Sequence, residues 1–314
     1  MKTEKITNQM NSLDTSIFIG TAGRHETFTP RYGWLKKGYD RCVANKHVFN
    51  DENAIEQLGV GKNMVRSMRF WCVLFRLLED AGEPGCLKPT DFGFRLLDTE
   101  SGWDPYLEDP ASLWFLHWQI FLPPYSAVSW VIAFNYVDLS AFDVHELSAT
   151  IVSKARIMNG LRSIAEGSFE KDASCILRMY CSDENDKNEI RSPFSDLGLI
   201  TPARDMEGHR FRFAANAKTN LPDLIFMAAV FSYANQWFEG QRSLSLHQVT
   251  YGINSPGVVF KLSETECGSR IERIYRTLRN VNFVDNNGLR QLQFSASAGD
   301  LAEQCLERYF GERI

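Results

Sequence analysis

The run from Asn50 to Thr90 constrains this chain most, because turn residues, apolar spacing and charge combine there into one pattern. Asp51 is placed to cap a short helix through Ile55 to Leu58, and Gly59 and Gly61 bracket a tight turn. A longer helix then opens at Lys62. At roughly 100° per residue, Met64, Val65, Met68, Trp71, Cys72 and Phe75 gather on one side of it. Lys62, Arg66 and Arg69 gather on the other, with Asn63 and Ser67 beside them. From Phe70 onward only Arg76 interrupts an apolar surface. The spacing predicts a helix whose first two turns face solvent, as a recognition helix presents its N-terminal residues to a groove. Glu83-Pro84-Gly85 turns the chain into a short strand at Leu87-Lys88, and Thr90 or Asp91 starts another helix. Helix, turn, helix and wing together describe a winged-helix DNA-binding module. The other reading is an ordinary amphipathic helix with a solvated basic face.

Gly59-Val60-Gly61-Lys62 looks like the tail of a phosphate-binding loop but lacks its other parts. Glu56 stands where the first glycine belongs, and Asn63 where Ser or Thr would hold magnesium. No nucleotide site is expected.

The chain has 314 residues, 44% of them hydrophobic, with 22 Phe, 10 Tyr and 7 Trp, enough to bury substantial cores. Its net charge is −5, which argues against a protein coated everywhere by nucleic acid. Between Arg24 and Arg76, however, ten Lys or Arg face five Asp or Glu, so that stretch carries +5 and the remainder −10. Such polarisation steers an anion to one surface. Cysteines stand at 42, 72, 86, 175, 181, 267 and 305, with no Cys-x-x-Cys and no paired Cys/His spacing. This predicts reduced thiols in the cytoplasm and no zinc. The polar start lacks a signal-peptide core, and no run approaches a membrane span.

The pattern predicts a mainly α (α+β) fold, with winged helix-turn-helix modules joined by a helical middle. Residues 1–16 read as a flexible arm, 17–100 as the N-terminal winged-helix module and 101–167 as the helical middle. Residues 168–240 read as a second helical or winged-helix-like module, and 241–314 as a C-terminal one. In the middle, Asp104-Pro105 and Asp109-Pro110 each fit an N-cap with proline at the first helical position. Ser182 to Glu189 is a polar loop. Near the C-terminus, Leu246 to Tyr251 reads as a short helix, Ser255-Pro256-Gly257 as a turn and Asn286-Asn287-Gly288 as a hairpin. Arg270, Arg273, Arg276 and Arg279 lie opposite the apolar face of a longer helix, as a second basic face or merely a solvated one.

No nucleophile elbow, His-Glu-x-x-His or dinucleotide fingerprint occurs. The best reactive candidates are His25 and Glu26, beside Arg24, where a carboxylate could ligate a divalent metal and an imidazole move a proton near phosphate. The bland account is that the pair ties the N-terminal segment down. Asp104, Glu108 and Asp109 are the next acids to consider, while His117 fits a satisfied core histidine. The expected DNA contacts are Lys62, Asn63, Arg66, Arg69, Arg24, Arg31, Lys36 and Lys37.

Several longer strings resemble a known family. They are Gly-Arg-His-Glu-Thr-Phe at 23–28, Arg-Tyr-Gly-Trp-Leu-Lys-Lys-Gly at 31–38 and Leu-Gly-Val-Gly-Lys-Asn-Met-Val at 58–65. Trp-Asp-Pro-Tyr-Leu-Glu-Asp-Pro at 103–110 and Ser-Pro-Gly-Val-Val-Phe-Lys-Leu at 255–262 complete the set. Together they resemble the SspB-like family, formerly an uncharacterised prokaryotic domain family, over nearly the whole chain beyond Ser16. The resemblance implies the DNA-nicking component of a bacterial phosphorothioation defence system, which places sulfur in the DNA backbone. It implies partners too: DNA, and the sulfur-transfer ATP pyrophosphatase and ATPase of the same operon. Nicking by hydrolysis would call for Mg²⁺ or Mn²⁺, with Glu26 as the candidate ligand. A non-catalytic adaptor that recruits those partners to DNA is the alternative. The acidic remainder and aromatic helices also admit a homodimer.

Overall fold

A computed structural model describes residues 22–158, 161–181 and 191–311. The expected arm at 1–16 and the polar loop at 182–189 lie outside the described residues. Helices dominate, and the strands form only small antiparallel sheets.

The N-terminal part contains α1 (Trp34–Ala44), α2 (Ala54–Leu58) and α3 (Lys62–Leu74), packed on one another, then the hairpin β1 (Leu78–Asp80) and β2 (Leu87–Pro89), then α4 (Asp91–Leu97). Gly59 ends α2 at φ 61°, a conformation that a side chain resists, and so allows the three-residue turn into α3. Asp51 does not cap α2 directly. The N-cap is Asn53, and the Asp51 carboxylate accepts the Asn53 amide at 2.8 Å, in a turn just before the helix. In α3, Val65, Met68, Trp71 and Cys72 are buried while Lys62, Asn63 and Arg66 are exposed, as the spacing predicts. Ser67 departs from that prediction: it is fully buried and its hydroxyl points to the Phe28 carbonyl. Arg76, at φ 56°, sends its guanidinium to the Leu122 and Pro123 carbonyls at 2.6 and 2.9 Å. It therefore stitches the end of this region to the middle of the molecule.

The middle comprises α5 (Pro110–Gln119), α6 (Val128–Tyr136), α7 (Val144–Ile157) and α8 (Glu166–Tyr180). Asp109 caps α5 through the Ala111 amide, with Pro110 at the first helical position. Asp104 does not start a helix at Pro105. Its carboxylate instead gathers the Glu108 and Asp109 amides at 3.0 Å and the Ser112 hydroxyl at 2.6 Å, which organises the loop leading into α5. α5 and α6 are apolar nearly all round because they run through the core.

A 3-10 turn (Pro193–Leu197), the pair β3 (Ile200–Pro202) and β4 (Phe211–Phe213), and the buried α9 (Asp223–Trp237) follow. The last stretch holds β5 (Ser243–Ser245), α10 (Leu246–Tyr251), α11 (Pro256–Phe260), α12 (Glu264–Ile274), β6 (Val281–Asn286), β7 (Leu289–Phe294) and α13 (Ala298–Gly311). Asn287 and Gly288 both take positive φ, the turn that suits a twisted hairpin, and β7 pairs with β6 and β5. Ser255-Pro256-Gly257 is not a free turn but the start of α11, with the Ser255 hydroxyl accepting the Val258 amide. α9 packs against α13 and α5, and one set of buried side chains extends from Trp34 to Phe310. Among the described residues no helix is long and apolar enough to cross a membrane. All seven cysteines are buried free thiols.

Candidate nucleic-acid interface

Two chain segments build the site: α3 and the turn at Gly23 to Phe28 that lies against it. The turn is held by an interior carboxylate. Asp172, on α8, accepts the Gly23 amide at 2.8 Å, the His25 ring at 2.8 Å and the Ser129 hydroxyl at 2.5 Å. The Phe28 carbonyl accepts the Trp71 indole at 3.1 Å, and Arg178 donates to the Thr27 carbonyl at 2.6 Å. So anchored, the backbone takes positive φ at Glu26 (50°) and Thr27 (67°). For the β-branched Thr27 this conformation costs about 1–3 kcal/mol, and the surrounding contacts must supply it.

The consequence is that the side chains of His25 and Glu26 part company. His25 is fully buried, its ring packed near Phe70, Trp71 and Trp130 with centroids 5.8–6.3 Å away. Its Nδ1 is buried without a hydrogen-bond partner among the described residues. Glu26 turns outward and reaches Arg66 at 3.6 Å. The sequence pair is thus not a pair in space.

Glu26 lies in a cleft of about 630 Å³ lined also by Arg24, Asn50, Arg66, Arg69 and Phe70. A second recess of about 460 Å³, between α2 and α3, shares Asn50, Arg66 and Arg69 with it and adds Lys62. Through these three shared side chains the two recesses together make up the groove along α3. Arg69 is half-buried, and its Nε has no acceptor among the described residues. Gly61 gives α3 no side-chain cap, so the open amides of its first turn point toward the Lys62 end. Three arginines and an uncapped helix start favour an anion, and Arg presents donors spaced for phosphate oxygens. Asp51 and Glu52, at the rim of the second recess, moderate the positive charge.

The remaining expected contacts are placed elsewhere. Lys36 is buried and donates to Asp40, the Leu97 carbonyl and Thr99, so it joins α1 to the end of α4 rather than facing a ligand. Arg31 lies over the Phe28 and Trp34 rings, and Lys37 is exposed with its ammonium near the Leu58 carbonyl. On α12 the supposed basic face is partly internal. Arg270 is 3% exposed and donates to the Leu221 and Lys218 carbonyls and to Asp223, and Arg273 makes a two-pronged bond to Asp223. His117 is buried with both ring nitrogens partnered, by Tyr180 at 2.7 Å and the Val259 carbonyl at 3.0 Å.

Sequence reasoning found no role for Asp172 or Asn50. A signal existed for the first: Asp172 shares the apolar face of α8 with Phe169, Ala173, Cys175, Ile176 and Met179, and an acid there needs interior partners. Asn50 gave none, since its amide donates to the Gly85 carbonyl at 2.7 Å from across 35 residues.

The family model of a protein of unknown function, DUF4007, matches residues 23–310. The chain belongs to this family. Two solved structures, described as "SspB crystal structure" and "Magnesium ion-bound SspB crystal structure", share the fold of this DUF4007 member. Each has a TM-score of 0.87 and 31% sequence identity, and the match covers 95% of this chain and 90% of the other. A search of curated proteins finds no significant match. The matched span takes in the groove and its anchor together, from the turn at Gly23 through α3 to Asp172.

Proposed function

We propose that this chain is the DNA-binding component of a bacterial DNA phosphorothioation system, and that it grips the duplex backbone in the groove along α3. The convergence of Arg24, Arg66 and Arg69 on one cleft carries this reading, together with the Arg69 Nε that lacks an acceptor among the described residues. The packing of α1, α2 and α3, followed by the β1–β2 hairpin, supports a winged helix-turn-helix in which α3 is the recognition helix. Arg66 and Arg69 then hold phosphates, while Lys62 and Asn63, exposed in the first turn, reach base edges. Likeness to SspB supports placing the chain in that system, and we assign it as partners a sulfur-transfer ATP pyrophosphatase and an ATPase that help sulfur enter the backbone.

For strand nicking, Glu26 is the residue in position. Among the described residues it is the single carboxylate lining the larger cleft, within reach of whatever phosphate the arginines hold. A Mg²⁺ that arrives with phosphate needs only one or two protein carboxylates, its other positions being filled by phosphate oxygens and water, so the donor set fits. One related structure is described as magnesium-bound. Bound there, the ion would supply Lewis-acid activation of the phosphate. His25 acts by position: it holds the turn that presents Glu26, and its buried ring does not reach the cleft. The non-catalytic adaptor is the second reading, and the observation in its favour is the same solitary carboxylate. Nicking of supercoiled plasmid by purified protein, with and without Mg²⁺ or Mn²⁺, separates the two. Metal-dependent relaxed circles lost in Glu26→Gln support the nickase, and duplex binding without nicking supports the adaptor.

A further inference from the structure

Beyond the groove, one group of side chains has metal-ligand chemistry and geometry. His47, in the segment after α1, meets Glu83 and Cys86 from the loop between β1 and β2, and their ligand atoms all lie within 4.8 Å of one another. The Cys86 sulfur is 3.3 Å from His47 Nδ1, 3.5 Å from its Nε2 and 3.7 Å from Glu83 Oε2. A tetrahedral zinc with bonds of about 2.3 Å to sulfur and about 2.0–2.1 Å to nitrogen or oxygen sets its ligands about 3.5 Å apart. The sulfur distances to His47 and Glu83 are close to the edges of that tetrahedron; because the sulfur faces both ring nitrogens about equally, the exposed His47 ring turns to aim one nitrogen's lone pair at the ion.

We propose that His47, Glu83 and Cys86 bind a zinc-type divalent cation through sulfur, nitrogen and oxygen, with water in the fourth position. The donor set selects the metal class. A thiolate and an imidazole favour a borderline cation such as Zn²⁺ over Mg²⁺ or Ca²⁺, which prefer oxygen alone. The thiol gives up its proton to solvent on binding, and the neutral imidazole binds through one nitrogen. Lys46 bonds both Glu83 oxygens at 2.9 Å, so the carboxylate can keep one oxygen on the ammonium and turn the other to the cation.

The site would act on the groove through Asn50. The Asn50 amide, which lines both recesses, already holds the hairpin loop by the Gly85 carbonyl, and the Leu87 amide donates to the Lys46 carbonyl at 3.0 Å. A cation between His47 and the Glu83–Cys86 loop adds to these ties, and to the Lys46–Glu83 pair, between the same two segments. The scattered positions 47, 83 and 86 conceal the site in the sequence, since only Glu83 and Cys86 are near neighbours.

The test uses Co²⁺, a spectroscopic stand-in for Zn²⁺, titrated into the purified reduced protein. One equivalent should produce a thiolate-to-cobalt charge-transfer band with tetrahedral visible bands, both displaced by Zn²⁺, and Tm should rise with cobalt concentration. Cys86→Ser should abolish the charge-transfer band with the far-UV circular dichroism of the parent. His47→Ala, at an exposed position, should weaken cobalt binding by at least about tenfold. Absence of the band at stoichiometric cobalt overturns the proposal, as does a band that survives either substitution unchanged.

Discussion

His25 Nε2 lies 2.8 Å from Asp172 Oδ1, and the same carboxylate holds the Gly23 amide and the Ser129 hydroxyl. The contact bridges 147 residues and pins the first described turn to α8. Removing the acid leaves the buried His25 and Ser129 groups and the half-buried Gly23 amide without their acceptor. Asp172→Ala should therefore cost about 3–5 kcal/mol of stability, read as a lower urea midpoint. In a double-mutant cycle with His25→Ala the losses should fall well short of additive, because both substitutions break one network. Additive losses would mean that His25 and Asp172 stabilise the fold independently.

That contact also marks where the sequence stopped being informative. Local chemistry announced much of the fold: the glycines around Val60 set the α2–α3 turn, Asp109-Pro110 started α5, and Asn287-Gly288 turned the last hairpin. Periodicity placed Lys62 and Arg66 on an exposed face and Trp71 in the core. Periodicity cannot say which distant acid meets a given base, however. Lys36 and Arg270 read as surface cations until Leu97 and Asp223 are brought to them by tertiary packing. Ser67 sits beside the basic stripe in sequence, yet it is buried because the turn at Phe28 covers it. The candidate site was half legible for the same reason: α3 was visible, and the turn that carries Glu26 into its cleft was not.

Arg270 should behave as a structural cation. Its guanidinium donates to two carbonyls and to Asp223 from a buried position. Arg270→Met should lower stability by about 1–3 kcal/mol, since the Leu221 and Lys218 carbonyls lose their donor while Asp223 keeps Arg273. Duplex affinity, measured at a temperature where the variant is folded, should equal that of the parent. A large loss of affinity with normal stability would reassign this face to DNA.

His117 predicts a pH dependence whose direction is fixed. Burial pushes its pKa down from the usual 6.5 to about 3, in spite of the hydrogen bond to the Val259 carbonyl. Between those values the unfolded chain binds a proton that the folded chain refuses, so this group makes stability fall as pH drops from about 6.5 toward about 3. The slope it adds is at most about 1.4 kcal/mol per pH unit. By NMR the His117 ring should stay neutral from pH 7 to pH 5. A His117 resonance that titrates near 6.5 would contradict the buried, doubly bonded ring.

Glu26→Gln should keep the fold and duplex binding, because the side chain is part-exposed at the cleft and retains its shape. Metal-dependent nicking should drop by at least about a hundredfold if the carboxylate holds the ion. His25→Ala should reduce nicking only as far as it loosens the turn, and should lower Tm in parallel. Full nicking by Glu26→Gln would move the search for the ligand to Asp104, Glu108 and Asp109.

The groove along α3 is tested most directly by the salt dependence of duplex binding in the Arg66→Ala/Arg69→Ala double variant. Each phosphate left without its arginine takes about 0.9 off the slope of log K against log salt, so the double variant should flatten it by about 2. Binding should be weaker at every salt concentration together with that flatter slope, in a protein whose circular dichroism matches the parent. Affinity and slope equal to those of the parent across the whole series would contradict it.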